Sequence, residues 1–188
     1  MGDSLTFLRA WAADPLRTAS VTPSGAALAD AITAGIDAGT APVIELGPGT
    51  GVFTAALLAR GVPEDRIALV EASGGFADLL AYRFPAARLF RGDASRLNGT
   101  ALFEGGEKVG AVISGLPLVS MPTRAVVRIL TASFERLRPG AAFHQFTYGP
   151  TSPVSRAVLA RLGLVATRTH RVLLNVPPAS VYRIERAG

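Results

Sequence analysis

The chain contains no cysteine, which excludes disulfides, thiol nucleophiles and thiolate metal sites and fits a reducing, cytoplasmic setting. Its 188 residues include two histidines, His144 and His170, too few for a histidine-built metal centre. Lysine is almost missing, since 18 of the 19 basic residues are arginine. No uninterrupted apolar run approaches the ~18 residues that a membrane-crossing helix needs. The first residues carry Asp3 and no apolar core with a cleavage site, so the reading expects no signal peptide. Repeats, low-complexity tracts and linker-like stretches are also lacking. The expectation is one domain over residues 1–188, long enough to bury a core without staples.

Acidic residues thin out along the chain. Residues 1–120 hold nine basic and twelve acidic side chains, whereas residues 121–188 hold ten arginines and two glutamates. A basic third of this kind is a solvated surface or a face for an anionic partner, either lipid headgroups or nucleic-acid phosphate. Charge alone leaves those open.

What is present is an alternation of strand and helix patterns. Strands are expected at Val43–Leu46, Ile67–Glu71, Arg88–Arg91, Ala111–Ser114, Ala142–Tyr148, Val165–Leu173 and Ser180–Glu185. Helices are expected at Val52–Arg60, Gly75–Phe84, Thr123–Leu137 and Val154–Leu162, with a short piece near Ala94–Phe103. Ahead of them, Ser4–Ala13 reads as an amphipathic helix with Phe7 and Trp11 one turn apart, and Ser24 can cap a second helix running to Asp37. The last two strands are joined without a helix. The fold class that follows is α/β: a mostly parallel sheet of seven strands, helices on both faces, one antiparallel strand near the C-terminus and a helical N-terminal extension.

Three glycines fall within five positions where the first strand meets its helix, in Val-Ile-Glu45-Leu-Gly47-Pro48-Gly49-Thr50-Gly51. In a doubly wound sheet that turn lies at the carboxyl end of the strands, where ligands bind. The dinucleotide fingerprint Gly-x-Gly-x-x-Gly needs a two-residue gap that is missing here. Glu45 would also repel a pyrophosphate while favouring a cationic ligand, and S-adenosylmethionine carries a sulfonium and an ammonium but no phosphate. Glu71 ends the second strand, placed to accept from ribose hydroxyls, with Ala72 and Ser73 beside it. Asp93, between Gly92 and Ala94 after the third strand, can accept from an adenine amino group. Thr22 and Ser24 can reach the ligand's carboxylate from the loop before the second helix. After the fourth strand, Ser114-Gly115-Leu116-Pro117 sits beside the expected methyl; Pro117 keeps Leu116 extended, which can aim a backbone carbonyl into the pocket. Tyr148 and His144 share one face of the fifth strand and are the candidates to meet an acceptor.

These stretches carry a resemblance. DPLRTASVTPSG (14–25), VIELGPGTGVFTAALLARGV (43–62), SGLPLVSMP (114–122), QFTYGPTSPV (145–154) and NVPPASVYRI (175–184) make the chain resemble the class I S-adenosylmethionine-dependent methyltransferases. More narrowly, it resembles the small bacterial phospholipid N-methyltransferases that carry phosphatidylethanolamine towards phosphatidylcholine. The resemblance implies a Rossmann-like fold, S-adenosylmethionine as donor with S-adenosylhomocysteine as product, and a phospholipid membrane as partner. It further implies a cytoplasmic protein held peripherally at the inner membrane. The stripe at Phe7 and Trp11 would then be a lid over the cofactor cleft, an interfacial anchor, or both. The chain is also similar, more distantly, to ribosomal RNA adenine dimethyltransferases. Those carry an aromatic after the fourth strand and an added helical domain, whereas this sequence has Ser114-Gly-Leu-Pro-Leu118 and ends at Gly188, so no nucleic-acid partner is expected.

Overall fold

The computed structural model of the chain describes residues 23–97, 99–175 and 177–188, and at Pro23 and Ser24 the backbone alone. The expected helix at Ser4–Ala13 and the candidate Thr22 lie outside the described residues. Among the described residues, five α-helices and seven strands follow in the order α1 (Pro23–Ile32), β1 (Val43–Leu46), α2 (Val52–Ala59), β2 (Ile67–Glu71), α3 (Gly74–Arg83), β3 (Arg88–Arg91), β4 (Val109–Ser114), α4 (Thr123–Arg136), β5 (Leu137–Thr147), α5 (Arg156–Leu162), β6 (Leu164–Val172) and β7 (Ala179–Arg186). The strands form one sheet in the order β3-β2-β1-β4-β5-β7-β6. Strands β1 to β5 run parallel, and β7 is antiparallel to both of its neighbours.

Position in the sheet matches composition. The central strands β1 (Val-Ile-Glu-Leu) and β2 (Ile-Ala-Leu-Val-Glu) are buried at every residue, as strands covered on both faces must be. The edge strands β3 and β6 each carry two arginines, β3 exposed at both ends and β6 along most of its length, which discourages pairing with other chains. On one face Val43, Ile67, Leu69, Ala111 and Ile113 pack against Leu28 and Ile32 of α1, Leu57 of α2 and Leu80 of α3. On the other, Ile44, Leu46, Val70, Val112 and Phe143 meet α4 and α5. The buried residues Val126, Ile129, Leu130, Ser133 and Phe134 form the one apolar stripe that α4 needs for this.

Most bounds differ from the expectation by one or two residues, and the three larger differences each have a physical reason. The helix expected over Ser24–Asp37 begins at Pro23 and ends at Ile32. Proline suits the first helical turn, so Ser24 lies inside that turn rather than at the cap, and Gly35 at φ 77° closes the helix early. Asp37 instead caps a short 3-10 turn, Ala38–Thr40, in a reciprocal box with Thr40. The piece near Ala94–Phe103 is not an α-helix: 3-10 turns occupy Ala94–Arg96 and Glu104–Gly106. Its carbonyls are satisfied from outside, because Arg136 donates to Leu97 O and, at 2.8 Å, to Thr100 O. Strand β5 starts at Leu137, five residues earlier than expected, because Leu137 pairs with Val109 across a register shift next to Gly110.

Phe143 lies at the centre of the sheet with no exposed surface. Phe143→Ala is expected to lower the unfolding free energy by about 3–5 kcal/mol. Urea denaturation should show a lower midpoint with an unchanged slope.

Candidate functional site

The glycine turn follows β1 and is built by close backbone approach. Gly47 N–H continues the ladder by donating to Val70 O at 2.9 Å, and Gly51 N–H closes the turn onto Pro48 O at 2.8 Å. Gly51 sits at φ 81°, and a Cβ there would run into the Phe84 ring, so only glycine lets α2 start against the end of α3. A Cβ on Gly115 would lie 2.5 Å from the Gly47 carbonyl oxygen. The turns after β1 and β4 therefore touch backbone to backbone, with the half-buried Leu116 side chain against Gly47. Pro48 is buried, and the Thr50 carbonyl accepts from the Arg83 guanidinium.

Beneath this turn lies Glu45, with no exposed surface. Its Oε2 accepts from the Thr54 hydroxyl of α2 at 2.6 Å, while Oε1 has no partner among the described residues. Burial pushes the carboxyl up to about 7, opposed by the Thr54 bond and reinforced by the nearby Glu71 charge. Glu71, at the end of β2, accepts from Gly49 N–H at 3.1 Å through Oε2 and from Ser73 N–H at 2.9 Å through Oε1. It thus ties the glycine turn to the next strand end. Ala72 and Ser73 are exposed beside it. Gly92 N–H donates to Glu71 O, which brings the turn after β3 alongside. There Asp93 caps Ser95 N–H at 2.8 Å, above the buried Ala94, and remains half exposed. The three carboxylates end three adjacent strands, as the sequence implied.

The β4–β5 side is different in character. Ser114 is fully buried, and its Oγ accepts from Leu116 N–H at 3.3 Å. The Leu116 carbonyl accepts from Gln145 Nε2 and from Leu118 N–H, each at 2.9 Å, so both of its lone-pair directions are engaged. Gln145 is buried and donates also to Phe146 O, and its Oε1 has no partner among the described residues. Tyr148 falls just past the end of β5. Its ring meets Phe146 edge-on at 5.4 Å, and Phe146 meets Phe53 of α2 at 5.9 Å. These rings connect the glycine turn's helix to the end of β5. Burial raises the Tyr148 hydroxyl's pKa, partly offset by its hydrogen bond with Asn175.

His144 is not brought to this place. It opens onto a cleft of about 320 Å³ lined also by Gly35, Thr40, Gly110, His170 and Arg183, which shares no residue with the glycine turn. Burial, with Arg183 and His170 nearby, lowers its pKa to about 4, so it is uncharged at neutral pH. Three residues that shape the site escaped the sequence reading. Thr54 had a signal, two residues into the helix after the turn, whereas Gln145 and Asn175 act through contacts that only the folded sheet creates.

The donor set fits a ligand that is cationic and rich in hydroxyl and amino groups. Among the described residues, Glu45 keeps an unpartnered oxygen, and each Glu71 oxygen keeps a second lone pair. Among the described residues, the one cation within 4.0 Å of these three carboxylates is Arg96, 3.9 Å from Asp93. A phosphate group here would meet repulsion instead. Among the described residues no cluster suited to a metal ion occurs.

No family model matches the chain. An ornithine lipid N-methyltransferase from Singulisphaera acidiphila is 33% identical over 111 residues, covering 57% of this chain and 58% of that protein. The match therefore spans little more than half of the relative's length. Among solved structures, an O-methyltransferase from Streptomyces achromogenes in complex with S-adenosylmethionine superposes with a TM-score of 0.65 at 16% identity, covering 100% of this chain and 91% of that one. An S-adenosylmethionine-bound amino pentose methyltransferase from Micromonospora echinaspora gives 0.61 at 17% identity, covering 92% and 94%. Likenesses of this kind establish the fold. The chain has the class I, Rossmann-like methyltransferase fold.

Glu45 makes stability depend on pH. Its folded value, about 7, lies above the ordinary 4.5, so the folded state holds the proton more tightly than the unfolded chain. The stabilisation is complete below the ordinary value and is lost as pH rises through the folded one, a decline on the order of 3 kcal/mol. Chemical denaturation of wild type and Glu45→Gln across that window should show this decline in wild type and its loss in the variant.

Proposed function

We propose that this chain methylates the primary amine of a lipid headgroup, phosphatidylethanolamine foremost, with S-adenosylmethionine as donor. The observation that carries the reading is the 33% identity to an ornithine lipid N-methyltransferase. Ornithine lipids and phosphatidylethanolamine both present a terminal amine on an otherwise unlike headgroup, so the shared chemistry is N-methylation. The reading puts the enzyme in the cytoplasm at the inner membrane, where such an acceptor would be met.

The site's own residues supply binding and alignment. S-adenosylmethionine would bring a methyl already activated on a sulfonium, transferred as the amine lone pair forms the N–C bond and the S–C pair stays on sulfur, leaving S-adenosylhomocysteine. The peptide groups of Gly47, Pro48, Gly49, Thr50 and Gly51 would pack against the donor. Glu71 would accept from its ribose hydroxyls, Asp93 from its adenine amino group, and Glu45 would supply negative charge beneath it. Ser114 and Gly115 flank the transfer point, and Tyr148 bounds the acceptor's side. Freeing the headgroup amine of its proton at pH 7.4 costs roughly 4 kcal/mol for a lysine-like ammonium, a cost that partial desolvation reduces. The proton leaves to solvent, and the remaining requirement is alignment. An RNA adenine suits the site less well, because residues 114–118 offer no aromatic to stack on a flipped base.

The test is incubation with methyl-labelled donor and, separately, phosphatidylethanolamine vesicles, ornithine lipid vesicles or ribosomal RNA. Label is expected in phosphatidylethanolamine. Label confined to ornithine lipid would overturn the choice of headgroup, and label confined to RNA would overturn the lipid reading. In calorimetry Glu71→Ala should weaken donor binding by at least tenfold; unchanged affinity would remove Glu71 from the ribose role.

A further inference from the structure

The carboxyl end of the sheet is electrically divided. On the β1–β3 side it carries Glu45, Glu71 and Asp93. On the other side three connections leave the same end: residues 115–122 after β4, 148–155 after β5 and 173–178 between β6 and β7. Strand β7 is antiparallel to β5 and β6, so the β6–β7 connection emerges beside the end of β5. None of the three contains an acidic residue. Each is bordered by an exposed arginine: Arg124 in the first turn of α4, Arg156 at the start of α5 and Arg171 near the end of β6. Among the described residues no carboxylate lies within ion-pair distance of any of these three arginines.

The same connections expose apolar side chains that a soluble surface gains nothing by showing. Leu173 is 64% exposed, Leu174 81% and Val119 58%. The two leucines are held out by a fastened hairpin. Val172 and Ala179 are buried at its base, and Asn175 is buried with Nδ2 donating to Pro177 O at 2.7 Å and a hydrogen bond to Tyr148. Adjacent leucines on such a loop keep their exposure without collapsing onto the sheet.

We propose that these three connections form the face by which the protein docks on an anionic lipid bilayer. Val119, Leu173 and Leu174 enter the boundary between headgroups and acyl chains, and Arg124, Arg156 and Arg171 lie against lipid phosphates. The proposal rests on the lipid-acceptor reading and deepens it. Docking by this face sets the carboxyl end of β4 and β5, with Ser114, Gly115 and Tyr148, towards the bilayer, so a headgroup reaches the site without leaving its leaflet. Charge complementarity commits the face to a bilayer: unpaired arginines around apolar side chains suit anionic headgroups over acyl chains.

The test uses the full chain with vesicles of phosphatidylcholine alone and with added phosphatidylglycerol. Sedimentation measures binding of wild type, Leu173→Ser/Leu174→Ser and Arg124→Gln/Arg156→Gln/Arg171→Gln, with circular dichroism confirming that each is folded. The leucine pair should lower partitioning at least tenfold on both kinds of vesicle. The arginine set should lower it about a hundredfold on anionic vesicles, about fivefold per arginine, and little on neutral ones. Methylation of a monomeric short-chain phosphatidylethanolamine should stay within twofold of wild type in both variants. Binding within twofold of wild type for both variants would overturn the docking face and move the membrane contact elsewhere, residues 1–22 included. The two readings fail separately. Vesicle binding lost in the variants, with no lipid ever methylated, supports the docking face and removes the acceptor. Methylation with unchanged vesicle binding does the reverse.

Discussion

The carboxylate of Glu45 has no exposed surface and, among the described residues, one hydroxyl partner and an oxygen with none. Placing such a group in an interior strand of a sheet is costly unless something compensates the charge or removes it. Here Thr54 compensates in part, and burial pushes the carboxyl up to about 7, so that only part of the charge is kept at neutral pH. Several features follow from that placement. Helix α2 must begin where it does for Thr54 to reach Glu45. The turn must therefore be short and close to the strand ends, which demands glycine at position 51. Glu71, bonded to Gly49 N–H, then holds the turn over the buried acid. The glycine turn, its helix and two strands thus answer to one buried acid.

Legibility in the sequence divided along the same line as the physics. The strands β1 and β2 were readable to the residue because short, mostly apolar runs with an acid at or next to the end have few alternatives in an α/β chain. The carboxylates could be found because strand ends in this topology are known in advance of any packing. The segment after β3 was misjudged because its geometry depends on Arg136, some forty positions later, whose guanidinium supplies the donors that a helix would have supplied itself. Gln145 is a similar case: an amide in an apolar strand means little until the Leu116 carbonyl is beside it. His144 shares a face with Tyr148, as alternation required, yet faces a different cleft. Period two fixes the side of a sheet, whereas position along the strand decides which end of the molecule a side chain serves.

The charge distribution has a structural meaning that the net value hides. Acidic groups gather where the first three strands end, while arginines border the connections after β4, β5 and β6. A cationic ligand and an anionic surface can therefore be served at one end of the same sheet, by different strand ends.

Strand β7 lies between β5 and β6 although it follows both in the chain. Among the described strands β6 pairs with β7 alone, so it leaves the ribosome before its pairing strand does. The sheet cannot close in the order of translation: β6 has to wait, half-polar and arginine-studded, until the segment after it threads in beside β5. A nascent chain halted before Ala179 would carry an open β5 edge in addition to an undocked strand, a state prone to pairing with other chains. The hydrophilic sequence of β6 suits a strand that must stay soluble while it waits.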